Sequence, residues 1–179
     1  MKTFVRADRC LSLCGLNCAL CTMQLGGYCG GCGNGSRPCA ISRCSLEHGA
    51  PEYCCDCDAY PCEKYDGADE YDSFITHRRQ KADLERMRRI GPDAYAKEQR
   101  EKVSILSRLL SDFNDRRRKS FYCLAVNLLD LPELRQAMER IESENLLSLP
   151  IKERSAKVAG LLNELADSKG VELKLRRKK

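Results

Sequence analysis

Long apolar runs are missing from this sequence. No stretch approaches the roughly 18 consecutive apolar residues that a membrane span requires, so no membrane partner is expected. The opening residues, MKTFVRADRC, carry several charges and no continuous apolar segment, which argues against a secretory signal. The expected setting is therefore cytoplasmic and reducing, where clustered cysteines point to metal rather than to disulfides. Histidine is scarce too, with two in 179 residues. There is no Ser–His–Asp arrangement, no phosphate-cradling glycine loop and no dinucleotide fingerprint, so no catalytic residue is assigned and an enzyme is not the favoured reading.

Cysteine is what the chain has in excess. Of 13 cysteines, all but Cys123 lie in the first 62 residues. Over residues 10–62 the large aliphatic side chains are few, chiefly Leu11, Leu13, Leu16, Leu20, Leu25, Ile41 and Leu46, and no helical period is sustained. Such a segment cannot offset its conformational entropy by apolar burial alone. Metal ligation is the usual remedy, because forming the site contributes directly to folding.

The spacing supports this. Cys18/Cys21, Cys29/Cys32 and Cys54/Cys57 are three C-x2-C pairs within forty residues. Two intervening residues let a tight turn aim both sulfurs at one ion, and the glycines of Cys29-Gly30-Gly31-Cys32-Gly33 remove the steric bar to that turn. Cys14-x3-Cys18-x2-Cys21 has the spacing of the iron–sulfur loop of radical SAM enzymes, but no alternation of strands and helices follows to build the barrel that chemistry needs. A plain iron–sulfur site stays open as the alternative to zinc, since four thiolates serve both. His48, four residues after Cys44, could replace a sulfur, although an exposed polar role is the simpler reading.

After about Asp72 the pattern turns helical. Phe74, Leu84, Met87 and Ile90 fall near one stripe of a helix expected over 73–90, which Gly91 breaks and Pro92 restarts. Tyr95, Val103, Leu106, Leu109, Leu110 and Phe113 mark a second over 92–113. Tyr122, Ala125, Val126 and Leu129 mark a third over 117–129. A fourth begins near Asp130 and carries Leu134, Ala137, Met138 and Ile141. The fifth spans 148–168, with Ile151, Val158, Leu162 and Leu165 inward and Gly170 as its stop. Cys123, flanked by Phe121-Tyr122 and Leu124-Ala125-Val126, reads as a buried small hydrophobe, and His77 as a satisfied boundary residue.

Charge is uneven. Residues 1–72 hold 6 Lys+Arg against 10 Asp+Glu, and the remainder holds 25 against 16. Arg78, Arg79, Lys81, Arg86, Arg88, Arg89, the run Arg116–Lys119 and the tail Arg176–Lys179 could meet phosphates. The interleaved Asp83, Glu85, Glu98 and Glu101 favour solvated helix faces instead, which makes nucleic acid a weaker partner than another protein.

The strings CGLNCALC (Cys14–Cys21), CGGC (Cys29–Cys32), CAISRC (Cys39–Cys44) and YCCDCDAYPC (Tyr53–Cys62) resemble the domain of unknown function 3795 family, a prokaryotic group of cysteine-rich proteins. Arg116–Leu134 also resembles a segment of its helical members, so the likeness covers roughly 10–144. The resemblance implies metal binding without an established reaction. It carries to Cys14, Cys18, Cys21, Cys29, Cys32, Cys39, Cys44, Cys54, Cys57 and Cys62, and sets Cys10 and Cys55 apart. Eight of the ten would complete two sites of four thiolates, so two or more zinc ions are expected, with an iron–sulfur cluster as the alternative.

The expected fold is mainly α. An irregular cysteine-rich metal-binding module over 1–72, built of knuckle turns with room for short β-hairpins, precedes a small antiparallel helical bundle over 73–170. A basic tail over 171–179 is expected to fray. The expected role is that of a structural or interaction module.

Overall fold

A computed structural model describes residues 4–34 and 39–178. It is mainly helical, with seven α-helices and no strand among the described residues. They are α1 (Thr22–Leu25), α2 (Ala40–Glu47), α3 (Gln80–Ile90), α4 (Pro92–Asp112), α5 (Lys119–Leu128), α6 (Leu131–Ser143) and α7 (Ile151–Ser168). Single 3-10 turns lie at Cys18–Leu20, Cys54–Asp56, Glu63–Tyr65 and Leu146–Ser148. Where short hairpins had room to form, the described residues hold one isolated antiparallel bridge, Leu11 with Asn17. No helix among them is long and apolar enough to cross a membrane.

The described chain divides into two compact units, one of residues 4–99 with 175–178 and one of residues 100–174. The division falls inside α4 and not at the compositional shift near residue 72. The reason is packing. Leu84 and Met87 of α3 and Tyr95 of α4 join Leu11, Leu13, Cys54, Cys55 and Tyr65 in one core, so the first helices complete the cysteine-rich segment.

A buried polar chain ties the same elements. Asn17 donates from Nδ2 to Asp83 Oδ2 at 2.7 Å, Tyr95 donates from its hydroxyl to Asn17 Oδ1 at 3.1 Å, and Arg79 Nε lies 3.3 Å from Asp83 Oδ1. Buried polar groups satisfied in this way fix a single register between loop and helices.

α3 starts at Gln80, seven residues later than its apolar stripe suggested. Asp72, itself buried, holds the preceding residues in a loop. Its Oδ1 accepts from Thr76 Oγ1 at 3.1 Å and from the His77 amide at 2.8 Å. Local acceptors of this kind compete with helical bonding. Phe74 consequently lies 61% exposed and off any core stripe. His77 is held at both ring nitrogens, Nδ1 to the Ala68 carbonyl at 3.1 Å and Nε2 to Ser73 Oγ at 3.0 Å. That is the satisfied role its sequence position suggested.

The tail returns to the same aspartate. Asp72 N donates to Arg176 O at 2.7 Å, and Arg176 N donates to Asp72 Oδ2 at 2.9 Å. Residues 175–178 are therefore anchored where fraying was expected; Lys179 lies outside the described residues.

In the 100–174 unit α5 is buried continuously from Tyr122 to Leu128, Cys123 included. Buried Lys102 donates from Nζ to Leu129 O at 2.7 Å, placing a cation on the carbonyl end of α5. Leu106, Leu109 and Phe113 of the α4 end, Leu134 and Ile141 of α6, and Val158 and Leu162 of α7 are also buried. The 3.6-residue pattern of these helices anticipated most of this core.

Candidate metal centre

The Cys14 loop is built first by its own backbone. Ser12 N donates to Leu16 O at 2.8 Å and Gly15 N to Ser12 O at 3.0 Å, closing a tight loop. Gly15 has φ +92°, and its α-carbon faces the start of α3. The thiol of Cys14 meets Ser12 Oγ at 3.2 Å and also bonds the side chain of Gln80. Tyr65 donates from its hydroxyl to Cys14 O at 3.2 Å, and Cys54 N donates to Leu13 O at 2.8 Å. The first and last cysteine strings are thereby joined through the backbone.

Two of the three C-x2-C pairs close a turn. Cys21 N donates to Cys18 O at 2.9 Å and Cys57 N to Cys54 O at 3.1 Å, each pair flanking a 3-10 turn. Between Cys29 and Cys32, Gly31 has φ +87° and donates from its amide to Cys29 Sγ at 3.4 Å. Cys39 caps α2, its sulfur accepting from Ser42 N at 3.4 Å. Amides aimed at sulfur favour the thiolate, which is the metal-binding form.

The fold brings the cysteines into two neighbourhoods. In the first, Cys18 lies under the charge of Cys32, Cys14 and Cys21; Cys32 under that of Cys14 and Cys39; and Cys14 under that of Cys39. Cys14 is thus within electrostatic reach of Cys18, Cys32 and Cys39, and Cys18 also of Cys21. In the second, Cys54 lies under the charge of Cys62 and Cys57, and also of Cys14. Cys44 joins this group across a small cavity that it lines with Cys54, Cys57 and Cys62. Cys10 is exposed, and Cys55 is buried in the core beside Cys54. No disulfide joins any of them among the described residues. No group of three or more His, Cys, Asp or Glu side chains among the described residues is placed to hold a metal ion.

His48 is exposed at the end of α2, with Nδ1 2.9 Å from Cys44 O and 3.5 Å from Cys44 Sγ.

Burial dominates the acid–base behaviour of these thiols. It pushes Cys18 and Cys54 up to about 12 and Cys55 up to about 11, and it raises Cys14 and Cys32 as well. At neutral pH these groups are protonated in the metal-free chain. A bound cation would reverse that balance, since ligating thiols must lose their protons. Zinc added at pH 7 to the reduced, metal-free protein is therefore expected to release one proton per thiolate formed, and its affinity to fall as pH falls. Titration in a weakly buffered solution checks this; zinc uptake without acid release would contradict thiolate ligation.

Two groups around the site carry no sequence signal of their own. Gln80 reaches Cys14 from 66 positions away in the chain. Arg6 is 4% exposed, lies 4.8 Å over the Tyr53 ring, and donates from Nη2 to Leu11 O at 3.1 Å. Its charge acts on Cys32, and its buried Nε and Nη1 have no hydrogen-bond partner among the described residues. The same guanidinium pairs with Glu52, Nη2 to Oε1 at 3.2 Å, so its charge is partly compensated where it acts on Cys32.

Comparison with known family models, with curated proteins and with solved structures returns no match.

Proposed function

We propose that this chain is a zinc-binding protein in which cysteine-ligated ions, two or more, hold together a surface for another protein. The single observation that supports this reading is the small cavity lined together by Cys44, Cys54, Cys57 and Cys62 inside the 4–99 unit. Thiols gathered there from cysteines up to 18 positions apart are the donors a shared ion would need.

Closed four-thiolate ligation is the mark of structural zinc, whereas catalytic zinc keeps an open position, typically beside histidine or carboxylate ligands. The same unit exposes Val5, Tyr28, Tyr71 and Phe74, side chains suited to a protein partner. Its cations are less available to phosphate. Arg86 pairs with Glu98, Arg79 with Asp83 and Lys81 with Asp69.

The iron–sulfur alternative is favoured by one arrangement, Cys18 within electrostatic reach of both Cys14 and Cys21. Anaerobic purification followed by elemental analysis separates the two. The expected product is colourless and holds about two zinc per chain. A brown product containing iron and acid-labile sulfide would replace zinc with the cluster reading.

A further inference from the structure

We infer that the stretch Tyr71–Phe74 is a docking site for an extended basic segment of a partner protein, and that the chain's own tail occupies it as a tethered stand-in. This rests on the protein-partner part of the reading above and does not depend on metal. The structure shows one such segment in place. Asp72 N donates to Arg176 O at 2.7 Å, and Arg176 N donates to Asp72 Oδ2 at 2.9 Å. Arg177 adds a third bond, from Nη1 to Ser73 O at 2.9 Å.

These bonds define what the site recognises. Two of the three use only the tail's main chain, as when an extended peptide pairs with an exposed strand, so they would accept other sequences. The buried Asp72 carboxylate takes the place of a strand carbonyl, and its charge favours a cationic segment. The loop leading to it carries Asp66, Asp69, Glu70 and Asp72. Lys81 lies 3.5 Å from Asp69, and Arg78 lies 3.8 Å from Asp72. Asp66 and Glu70 are exposed and stand in no ion pair among the described residues, so the charge around the clasp remains negative. The tail supplies the complement, with Arg176, Arg177 and Lys178 all exposed.

The tail does not use all that the site offers. Tyr71 and Phe74 bracket the clasp in sequence and remain 46% and 61% exposed with the tail in place. Open aromatic faces take arginine guanidinium groups well, so a longer basic segment gains contacts that the tail does not make. The Phe74 carbonyl accepts from Thr22 Oγ1 at 3.4 Å, which ties this edge to α1 of the cysteine-rich segment. A tethered occupant that makes three bonds and leaves both rings open is one that a fuller ligand can displace.

The test uses the full chain. In Arg176→Pro/Arg177→Ala the tail loses the amide that Asp72 accepts and the guanidinium on Ser73, and both changed side chains are exposed. A fluorescent peptide of residues 171–179 is titrated against the wild-type and variant chains. The released chain is expected to bind it at least about tenfold more tightly, because in the wild type the peptide competes with a tail held at an effective concentration on the order of 1 mM. Proline in the peptide at the position of Arg176 should abolish that binding, whereas alanine there should not. Hydrogen exchange at the Asp72 amide gives a second reading. Protection is expected in the wild type, loss of it in the released chain, and its return when peptide is added. Equal binding by the two chains, equal binding of the proline and alanine peptides, or an Asp72 amide still protected in the released chain would overturn the docking site. Zinc content of the same samples reports on the metal-binding reading separately, since neither substituted residue is a candidate ligand.

Discussion

Removing the metal under reducing conditions is expected to abolish amide protection over residues 10–65 while α5, α6 and α7 keep theirs. The apolar side chains this stretch buries are few, mainly Leu11, Leu13, Leu20, Cys54, Cys55 and Tyr65. Ordering costs about 1–2 kcal/mol of backbone entropy per residue, which a handful of buried side chains at about 1.5–3 kcal/mol each cannot offset over more than fifty residues. Structural zinc contributes on the order of 10 kcal/mol in small domains, so the loss of such an ion would remove a contribution comparable to all of that packing. Residues 100–174 bury Leu106, Leu109, Phe113, Tyr122, Leu134, Val158 and Leu162 and need no such help. Hydrogen exchange read by segment on the intact chain, with and without chelator, measures both halves at once. Retained protection over 10–65 after complete stripping would show that packing alone orders that stretch.

The second large effect is expected from a single methyl group. Gly15→Ala should destabilise the 4–99 unit by at least about 3 kcal/mol and lower its zinc content in the same step. Gly15 has φ +92°, a conformation that an alanine adopts only under strain. An added Cβ would collide with the Gln80 carbonyl oxygen and lie 2.7 Å from Leu84 Cγ. The Gln80 collision is with backbone, so no side-chain rotation relieves it. The loop must then move away from α3, taking Cys14 from Gln80 and Asn17 from Asp83. Gly49→Ala is the control. Gly49 also has positive φ, yet its Cβ would meet nothing within 4 Å, so strain acts there without the clash. Denaturant unfolding with parallel zinc analysis checks the pair; equal losses from the two variants would remove the special role given to the Gly15 contact.

The helices of the second half were legible because their apolar spacing is set by neighbours within four residues. Leu134, Ala137, Met138 and Ile141 announce α6, and the structure buries all four. Gly91 and Pro92 marked the break between α3 and α4, where Gly91 has φ +87°. What could not be read depends on partners distant in sequence. Asp72 pulls residues 73–79 out of the helix through local bonds and through Arg176, 104 residues on. Spacing shows which two sulfurs lie in one knuckle, but not that Cys44 lines a cavity with Cys54, Cys57 and Cys62, because that depends on how separate segments pack. Arg6 and Gln80 belong to no motif, and their place beside the thiols comes from tertiary packing alone.

Zinc-edge X-ray absorption on protein purified anaerobically, without added metal, tests the central claim most directly. The expected spectrum shows a first shell of sulfur at about 2.3 Å, four per ion, as tetrahedral thiolate ligation requires. A shell dominated by nitrogen or oxygen, or an iron edge in place of zinc, would contradict it.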